Sequence, residues 1–470
     1  MEKIYLYNTL SKKKEEFIPL KKGVVGIYYC GPTVYWTQHI GNLRGSFCTD
    51  IVRRTFSYFN YEVNLVRNYT DVGHLSSDSD EGEDKMEKGS KREGLSPLQI
   101  AQKYIKTYEE DTKELNILTP KYKPRATEYI DEMIKMTSEL LEKGYAYSTD
   151  LAIYFDVSKT ENYNKLSRQK IEKNISGAGS ADVADKDKKN KEDFALWFFR
   201  AGVHENAIQY WTSPFNSSLV DNGEGFPGWH IECSAMSRKC LGKTIDIHMG
   251  GIEHIPVHHT NEIAQSEAAN GVKFANYWLH NEHLLVNSGK MSKSEGTSYS
   301  LSELKEKGYK PLALRYFYLQ AHYRSKQNFT WESLDSAVKG YERLEKNILN
   351  LGDSIGKINP DFKNHFEKAI GDDFNTSKAM AVLQKLLKSD IPNKDKLATA
   401  LDFDRVFGLK LGKRRDEEKI PDDILLIAKE REDARNNKKW EESDRLRDLL
   451  KERGYSVEDS GSTSVLRKIF

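Results

Sequence analysis

Two short segments carry residue types suited to handling phosphate. In "CGPTVYWTQHIGNLR" (30–44) a Gly-Pro turn leads to His39, Gly41 and Asn42, directly ahead of apolar residues at helical spacing. A helix N-terminus offers unpaired N–H groups and a favourable dipole to an anion. His39 and Asn42 could donate hydrogen bonds to a triphosphate there, and Gly41 would let a nucleotide approach the backbone. Far downstream, "NSGKMSKSEGTS" (287–298) places Lys290 and Lys293 three apart in a loop of serine and glycine. Lysines in such a loop can close on phosphates and neutralise the charge that develops on departing pyrophosphate. Taken singly, the first segment is more often a structural helix start and the second far more often a solvated basic turn.

The first segment needs a strand before it and a helix after it. "GVVGIYY" (23–29) is a nearly continuous apolar run rich in β-formers, as in a buried parallel strand. Leu43, Phe47 and Ile51 then fall four apart, with Val52, Phe56 and Phe59 on a neighbouring stripe, which predicts a helix. "EVNLVRNYT" (62–70) reads as the next strand, completing a βαβ unit of a doubly wound sheet. Such sheets place ligands at the carboxyl ends of their strands, where His39 falls. "SSDSDEGEDKMEKGSKREG" (76–94) holds little to bury and is expected as an exposed loop, and "SGAGSADVADKDKKNKEDF" (176–194) as a flexible connection. Helical periodicity returns within 119–147, and strand patterning at 243–251 and 281–289, where the parallel sheet is expected to resume. Beyond about residue 300 the sequence shows almost no strand signal. Its end reads as two charged helices broken near Asn436-Asn437 and stopped at Gly454.

The composition permits this plan without choosing a function. At 470 residues the chain is long enough for several cores. Lysine plus arginine (72) nearly cancels aspartate plus glutamate (71), so net charge neither supports nor excludes a nucleic acid partner. The four cysteines are too few for a disulfide scaffold and too widely spread for a local zinc finger. No apolar run approaches the roughly 18 residues of a membrane span and no signal peptide is evident, which makes a cytoplasmic location the expectation.

Taken together, "HIGN" and "KMSKS" resemble the paired signatures of the class I aminoacyl-tRNA synthetases, with Asn42 in place of the usual second histidine. Within that class, "YYCGPTVYWTQHIGNLR", "GWHIECSAM" (228–236), "VHHTNEIAQSEA" (257–268) and "KMSKS" resemble the cysteinyl-tRNA synthetase family. The likeness extends through "PRATEYIDEMI", "LSRQ", "HYRS" and "DDFNT". It implies an α/β fold: a doubly wound, Rossmann-type catalytic sheet with an insertion, followed by an all-α C-terminal region. Cys30, Cys233, His258 and Glu262 are implied as ligands of one zinc ion. The two cysteines lie 203 residues apart, so spacing by itself would not pair them; His258 and Glu262 stand four apart, on one face of a helix. The resemblance also implies ATP at Thr33, His39, Gly41, Asn42, Lys290 and Lys293, with magnesium accompanying the nucleotide. It implies substrate cysteine against Thr70, Trp229, His248 and Glu253.

Three departures from the family pattern stand out. Met249 and Glu253 occupy positions where glycine and aspartate are expected; Glu253 could still meet the substrate ammonium, reaching one methylene further. The acidic stretch after Thr70 is longer than usual, and "SGSTSVLRKIF" lacks a tryptophan. The expected partition is a first catalytic half at 1–135, an insertion at 136–226 and a second half at 227–280. A loop and stem-contact region follows at 281–335, a helical bundle for tRNA binding at 336–405 and an anticodon-binding region at 406–470. The expected partners are tRNA(Cys), ATP and L-cysteine, with no membrane, for a monomer. The nearest rival is a ligase joining cysteine to an amino sugar by the same adenylate chemistry, which needs no anticodon module. A non-catalytic RNA-binding protein with a structural zinc would leave both phosphate segments unexplained.

Overall fold

The computed structural model describes residues 3–72, 84–169, 185–290, 297–412, 421–460 and 463–468. Its centre is a four-stranded parallel sheet in the spatial order Ala275–Asn281, Ile245–Gly251, Val24–Tyr29, Glu62–Arg67. All seven residues of Ile245–Gly251 are buried, as a strand covered on both faces requires. The predicted βαβ unit is present: helix Ile40–Tyr58 links Val24–Tyr29 to its parallel neighbour Glu62–Arg67. The chain later returns to the opposite edge of Val24–Tyr29. Strand order therefore reverses beside the end of that strand, and a crevice opens there.

Between the two sheet halves lie helices Lys85–Glu93, Pro97–Glu114 and Ile130–Glu142, then an antiparallel sheet of Ala146–Ser148, Ala152–Phe155, Phe194–Phe199 and Gly225–Pro227. Phe194–Phe199 is buried throughout. Met133, Met136 and Trp197 share one apolar core with Ile231, Ile263 and Trp278, so the insertion is packed onto the sheet it interrupts.

Several elements differ from the sequence reading. Lys85–Glu93 is a helix where a loop is expected: Asp84 Oδ1 accepts the Met86 and Glu87 N–H groups, and Gly94 ends it at φ 67°. Met86, Gly89 and Ser90 are the buried face, a signal too narrow to register in so charged a stretch. Residues 76–83 and 176–184 of the two expected loops lie outside the described residues, and Phe194 begins a strand. The parallel sheet resumes at Ile245–Gly251 as expected, but its next strand is Ala275–Asn281 and not 281–289; Leu284–Val286 instead pairs with Gly289–Lys290 and Gln327–Phe329 in a separate sheet. His280 and Asn276 make the true strand look polar. His280 is bonded inside the fold, its Nδ1 to the Thr9 hydroxyl at 2.8 Å, and Asn276 is only partly buried.

Helices Trp331–Leu349, Pro360–Gly371, Thr376–Lys388 and Asn393–Phe407 follow. Arg315, fully buried on helix Pro311–Leu319, ties the end of Asn393–Phe407 to helix Ile40–Tyr58 and to the end of helix Pro97–Glu114. Its guanidinium donates to Asp50 Oδ2 at 2.7 Å, to the Leu115 carbonyl at 3.0 Å and to the Phe407 carbonyl at 2.6 Å. Arg54 donates to the same Asp50 oxygen at 2.7 Å. Burial alone would raise the Asp50 pKa, but the two guanidiniums outweigh it and hold the carboxyl below its ordinary value.

Residues 410–470 form a second compact unit. Helices Asp422–Asn436 and Trp440–Glu452 enclose Ile424, Ile427, Leu446 and Leu450, and Gly454 stops the second helix at φ 82°. The unit ends in an antiparallel hairpin, Tyr455–Ser460 with Thr463–Lys468, that the serine-rich sequence does not signal. Among the described residues no helix is long and apolar enough to cross a membrane.

Candidate active site

The crevice at the strand reversal is a cleft of about 300 Å³, lined by Cys30, Thr33, His39, Gly41, Asn42, Thr70, Trp229, Cys233, Glu253 and His258 among others. Its floor begins at Gly31. A Cβ built on that residue would lie 1.8 Å from the Asn68 carbonyl oxygen, so only glycine lets the two strand ends approach. Gly31→Ala is accordingly expected to force the ends apart and to lower stability by about 2 kcal/mol or more, as an overpacked buried site does. Thermal unfolding of the variant beside the parent chain would check it.

His39 caps the helix Ile40–Tyr58, and its Nδ1 accepts the N–H groups of Gly41 at 3.1 Å and Asn42 at 3.2 Å. Accepting at Nδ1 leaves the ring hydrogen on Nε2, the tautomer that can donate to an anion. The arrangement differs in detail from a bare helix end, because the imidazole itself uses two of the N–H groups. Asn42 is oriented by Gln38, whose Oε1 accepts from its Nδ2 at 2.6 Å. Thr33 pairs with Thr70 as an isolated parallel bridge.

Cys30, Cys233, His258 and Glu262 are all buried, with one ligand atom of each lying within 4.8 Å of every other. Cys30 Sγ is 3.6 Å from both His258 Nε2 and Glu262 Oε1, and those two are 3.1 Å apart. Bonds of roughly 2.0–2.3 Å at tetrahedral angles would put ligand atoms about 3.3–3.8 Å apart, so the donor set fits a metal of zinc type in both chemistry and spacing. A second group, Cys30, His248, His259 and Glu262, meets the same distance limit. Only the first contributes Cys233 and His258 to the cleft wall.

Electrostatics in the cluster favours a charged form. Burial opposes ionisation of Glu262, yet His248 and His258 beside it hold its pKa below the usual carboxylate range. Against the same burial, Cys30 and His258 bring the Cys233 thiol down, while burial and Cys233 push Cys30 up. Around the cluster the imidazoles are tethered: His258 Nδ1 to His230 Nδ1 at 2.9 Å, His248 Nε2 to Glu262 Oε2 at 2.9 Å, and His259 Nδ1 to His280 Nε2 at 2.7 Å. Partners of this kind fix ligand tautomers and orientations.

The remaining sequence-derived residues fall in different places. Trp229 stacks on His258 with ring centroids 4.2 Å apart, as a wall of the cleft. His248 lies behind Glu262, stacked on Trp278 at 4.5 Å. Glu253 reaches the cleft from the turn Ile252–His254, within 3.6 Å of His283 Nδ1. Lys290 ends the short strand Gly289–Lys290, and Lys293 lies outside the described residues. Sequence reading passes over Asn68 and Glu232, both buried against Thr70. A glutamate between Ile231 and Cys233 on an otherwise buried helix is the available signal.

Residues 16–339 match the family of class I (C) tRNA synthetase catalytic domains, and residues 419–466 the cysteinyl-tRNA ligase anticodon binding domain. The Mycobacterium tuberculosis methionyl-tRNA synthetase, solved with methionyl-adenylate, superposes with a TM-score of 0.54 at 12% identity over 82% of this chain and 90% of that one, a likeness of fold alone. A parallel sheet split by an insertion, with a capped helix start at its switch point, is thus the catalytic domain of a class I aminoacyl-tRNA synthetase. The chain is 42% identical to the cysteine–tRNA ligase of Treponema denticola over 99% of both chains. It is 44% identical to cysteine–tRNA ligase 1 of Burkholderia lata over 97% of this chain and 95% of that one. It belongs to the cysteinyl-tRNA ligase family.

Proposed function

We propose that the chain activates L-cysteine with ATP and transfers it to the 3′ end of tRNA(Cys), with the cleft at the strand reversal as the site of both steps. The supporting observation is that three of the four metal-type donors, Cys30, Cys233 and His258, line the same cleft as His39, Gly41 and Asn42. The ion they and Glu262 would hold is zinc, one per chain, which supplies when bound a Lewis-acidic position for the substrate sulfur. Trp229 and Thr70 wall the amino acid pocket, with His248 supporting Glu262 from behind and Glu253 at the rim. His39 and Asn42 bind the phosphates of ATP beside Thr33 and Gly41, and magnesium accompanies the nucleotide.

In the first step the cysteine carboxylate attacks the α-phosphorus and pyrophosphate leaves. Lys290 and Lys293 neutralise the leaving charge. In the second, a ribose hydroxyl of the tRNA attacks the adenylate carbonyl and AMP leaves. Positioning and electrostatics carry both steps, with no protein nucleophile. Lys293→Ala is expected to slow adenylate formation by about 10²-fold, as loss of one charge-stabilising donor does, while the metal is retained. Single-turnover activation and metal analysis read the two separately.

Serine, alanine and valine lack the thiol. A site built around one polar group rejects analogues without it by roughly 10⁴–10⁵, which removes the need for editing. In the proposed partition, 1–135 and 227–280 form the catalytic domain around the insertion at 136–226. Residues 281–335 carry the lysine loop and stem contacts, 336–405 a tRNA-binding bundle and 406–470 the anticodon contact, in a cytoplasmic monomer. The deciding assay is cysteine-dependent exchange of pyrophosphate into ATP, followed by tRNA charging. Exchange with charging supports this reading; exchange alone would favour the amino-sugar ligase, against which the anticodon-domain match at 419–466 already weighs. No exchange would remove both enzymes.

A further inference from the structure

Arg44 is a buried charge that no step of the chemistry uses. It stands one turn into helix Ile40–Tyr58 and is 1% exposed. Its guanidinium donates from Nε to Gln327 Oε1 at 3.2 Å, from one terminal nitrogen to the Glu282 carbonyl, and from the other to the Ser325 and His322 carbonyls at 2.9 and 3.3 Å. These directions do not vary with pH, because arginine stays protonated in proteins and can only donate. The Gln327 carboxamide is fixed from its other end as well, its Nε2 donating to the Phe317 carbonyl at 2.6 Å.

The acceptors lie on the chain stretches that lead to Lys290. Glu282 lies just ahead of strand Leu284–Val286, and Gln327 opens strand Gln327–Phe329. Leu284–Val286 runs between Gln327–Phe329 and Gly289–Lys290, with Leu284 opposite Gln327 and Leu285 opposite Lys290. At the other end, His39 caps the helix that carries Arg44. Arg44 therefore joins the two phosphate-handling segments, which are far apart in sequence. It does so from behind, since it is not part of the cleft wall.

We propose that Arg44 is a positioning residue, holding the strand that ends in Lys290 at a fixed place relative to the helix start at His39. The inference rests on the proposed roles of His39 and Lys290 at the triphosphate. Stabilising charge on departing pyrophosphate requires both groups in place, and a displacement of about 1 Å caused far from the reacting atoms can cost about 10²-fold. A planar fork with donors along its edges suits a junction of three backbone carbonyls and one side-chain oxygen. A lysine ammonium, with its three donors at one point, cannot span them.

The test uses Arg44→Lys, which keeps the charge and loses the fork. Adenylate formation in a single turnover is expected to slow about 10- to 100-fold per active site, with KM for cysteine and metal per chain unchanged. Rate per site separates positioning from folding. A merely structural loss would lower the amount of adenylate formed in the burst and leave the surviving sites at the parent rate. Combined with Lys290→Ala, Arg44→Lys should add little, because the group it displaces is already gone. Gln327→Met removes the side-chain link and leaves the carbonyl bonds. It is expected to slow the same step about fivefold, the net worth of roughly one hydrogen bond, and it decides the matter if Arg44→Lys does not fold. An unchanged rate per site, or losses from Arg44→Lys and Lys290→Ala that multiply in full, would overturn the proposal while leaving cysteine activation as the function. A Lys290→Ala variant that forms adenylate at the parent rate would instead remove the reading on which the inference rests, and the proposal with it.

Discussion

Cys233→Ser is expected to lose the bound metal and, with it, both cysteine activation and discrimination against serine. Substituting groups that merely support a metal's ligands typically costs roughly 10–100-fold in affinity or activity, and removal of a ligand should exceed that. Cys233 is buried at the cleft wall, where Cys30 and His258 favour its thiolate against the cost of burial. A serine hydroxyl there would stay protonated and leave Cys30, His258 and Glu262 as an incomplete set. Metal per chain by mass spectrometry, and exchange assays with cysteine and serine, read the two consequences. Undiminished metal content in the variant would show that Cys233 is not a ligand.

Arg315→Met is expected to destabilise the first unit by about 3–5 kcal/mol, the usual cost of removing one member of a buried ion pair. The loss goes beyond Asp50. The Leu115, Asn116 and Phe407 carbonyls also accept from this guanidinium, and methionine satisfies none of them. Those groups belong to the segment after helix Pro97–Glu114 and to the end of helix Asn393–Phe407, so the weakening should spread between these helices and helix Ile40–Tyr58, which carries Asp50. The Asp50 pKa is depressed in the fold, so its contribution is present above the ordinary aspartate value of about 3.9 and fades as pH falls below it. The parent chain should therefore lose stability on acidification in part through Asp50, and the variant should show less of that dependence. Urea unfolding of both chains at neutral and acidic pH would check the size and the slope.

Local elements with strong periodicity are legible in the amino-acid sequence alone. The run at Val24–Tyr29, the helix stripe from Leu43 and the paired charged helices near the end all form as their spacing implies. Elements held by a few contacts are not. The helix Lys85–Glu93 depends on burial of Met86, and Ala275–Asn281 carries His280, whose partner Thr9 comes from the N-terminal segment. The same division runs through the site. His39, Gly41 and Asn42 are neighbours in sequence, so a helix start can be read from them directly. Cys30 and Cys233 meet only because Ile245–Gly251 returns beside Val24–Tyr29, which spacing along the chain does not encode. Motif resemblance supplies what periodicity cannot. Neither supplies the buried contacts of Asn68 and Glu232 with Thr70.

The most direct measurement is the visible spectrum of the chain loaded with cobalt in place of zinc, titrated with L-cysteine and, separately, with L-serine. Sulfur bound to cobalt gives intense charge-transfer absorption, and Cys30 and Cys233 should already produce it. A further rise saturating at one cysteine per chain, and none with serine, is the expected result. Absence of sulfur-to-cobalt absorption, or an identical response to both amino acids, would contradict recognition of cysteine through a metal held by these residues.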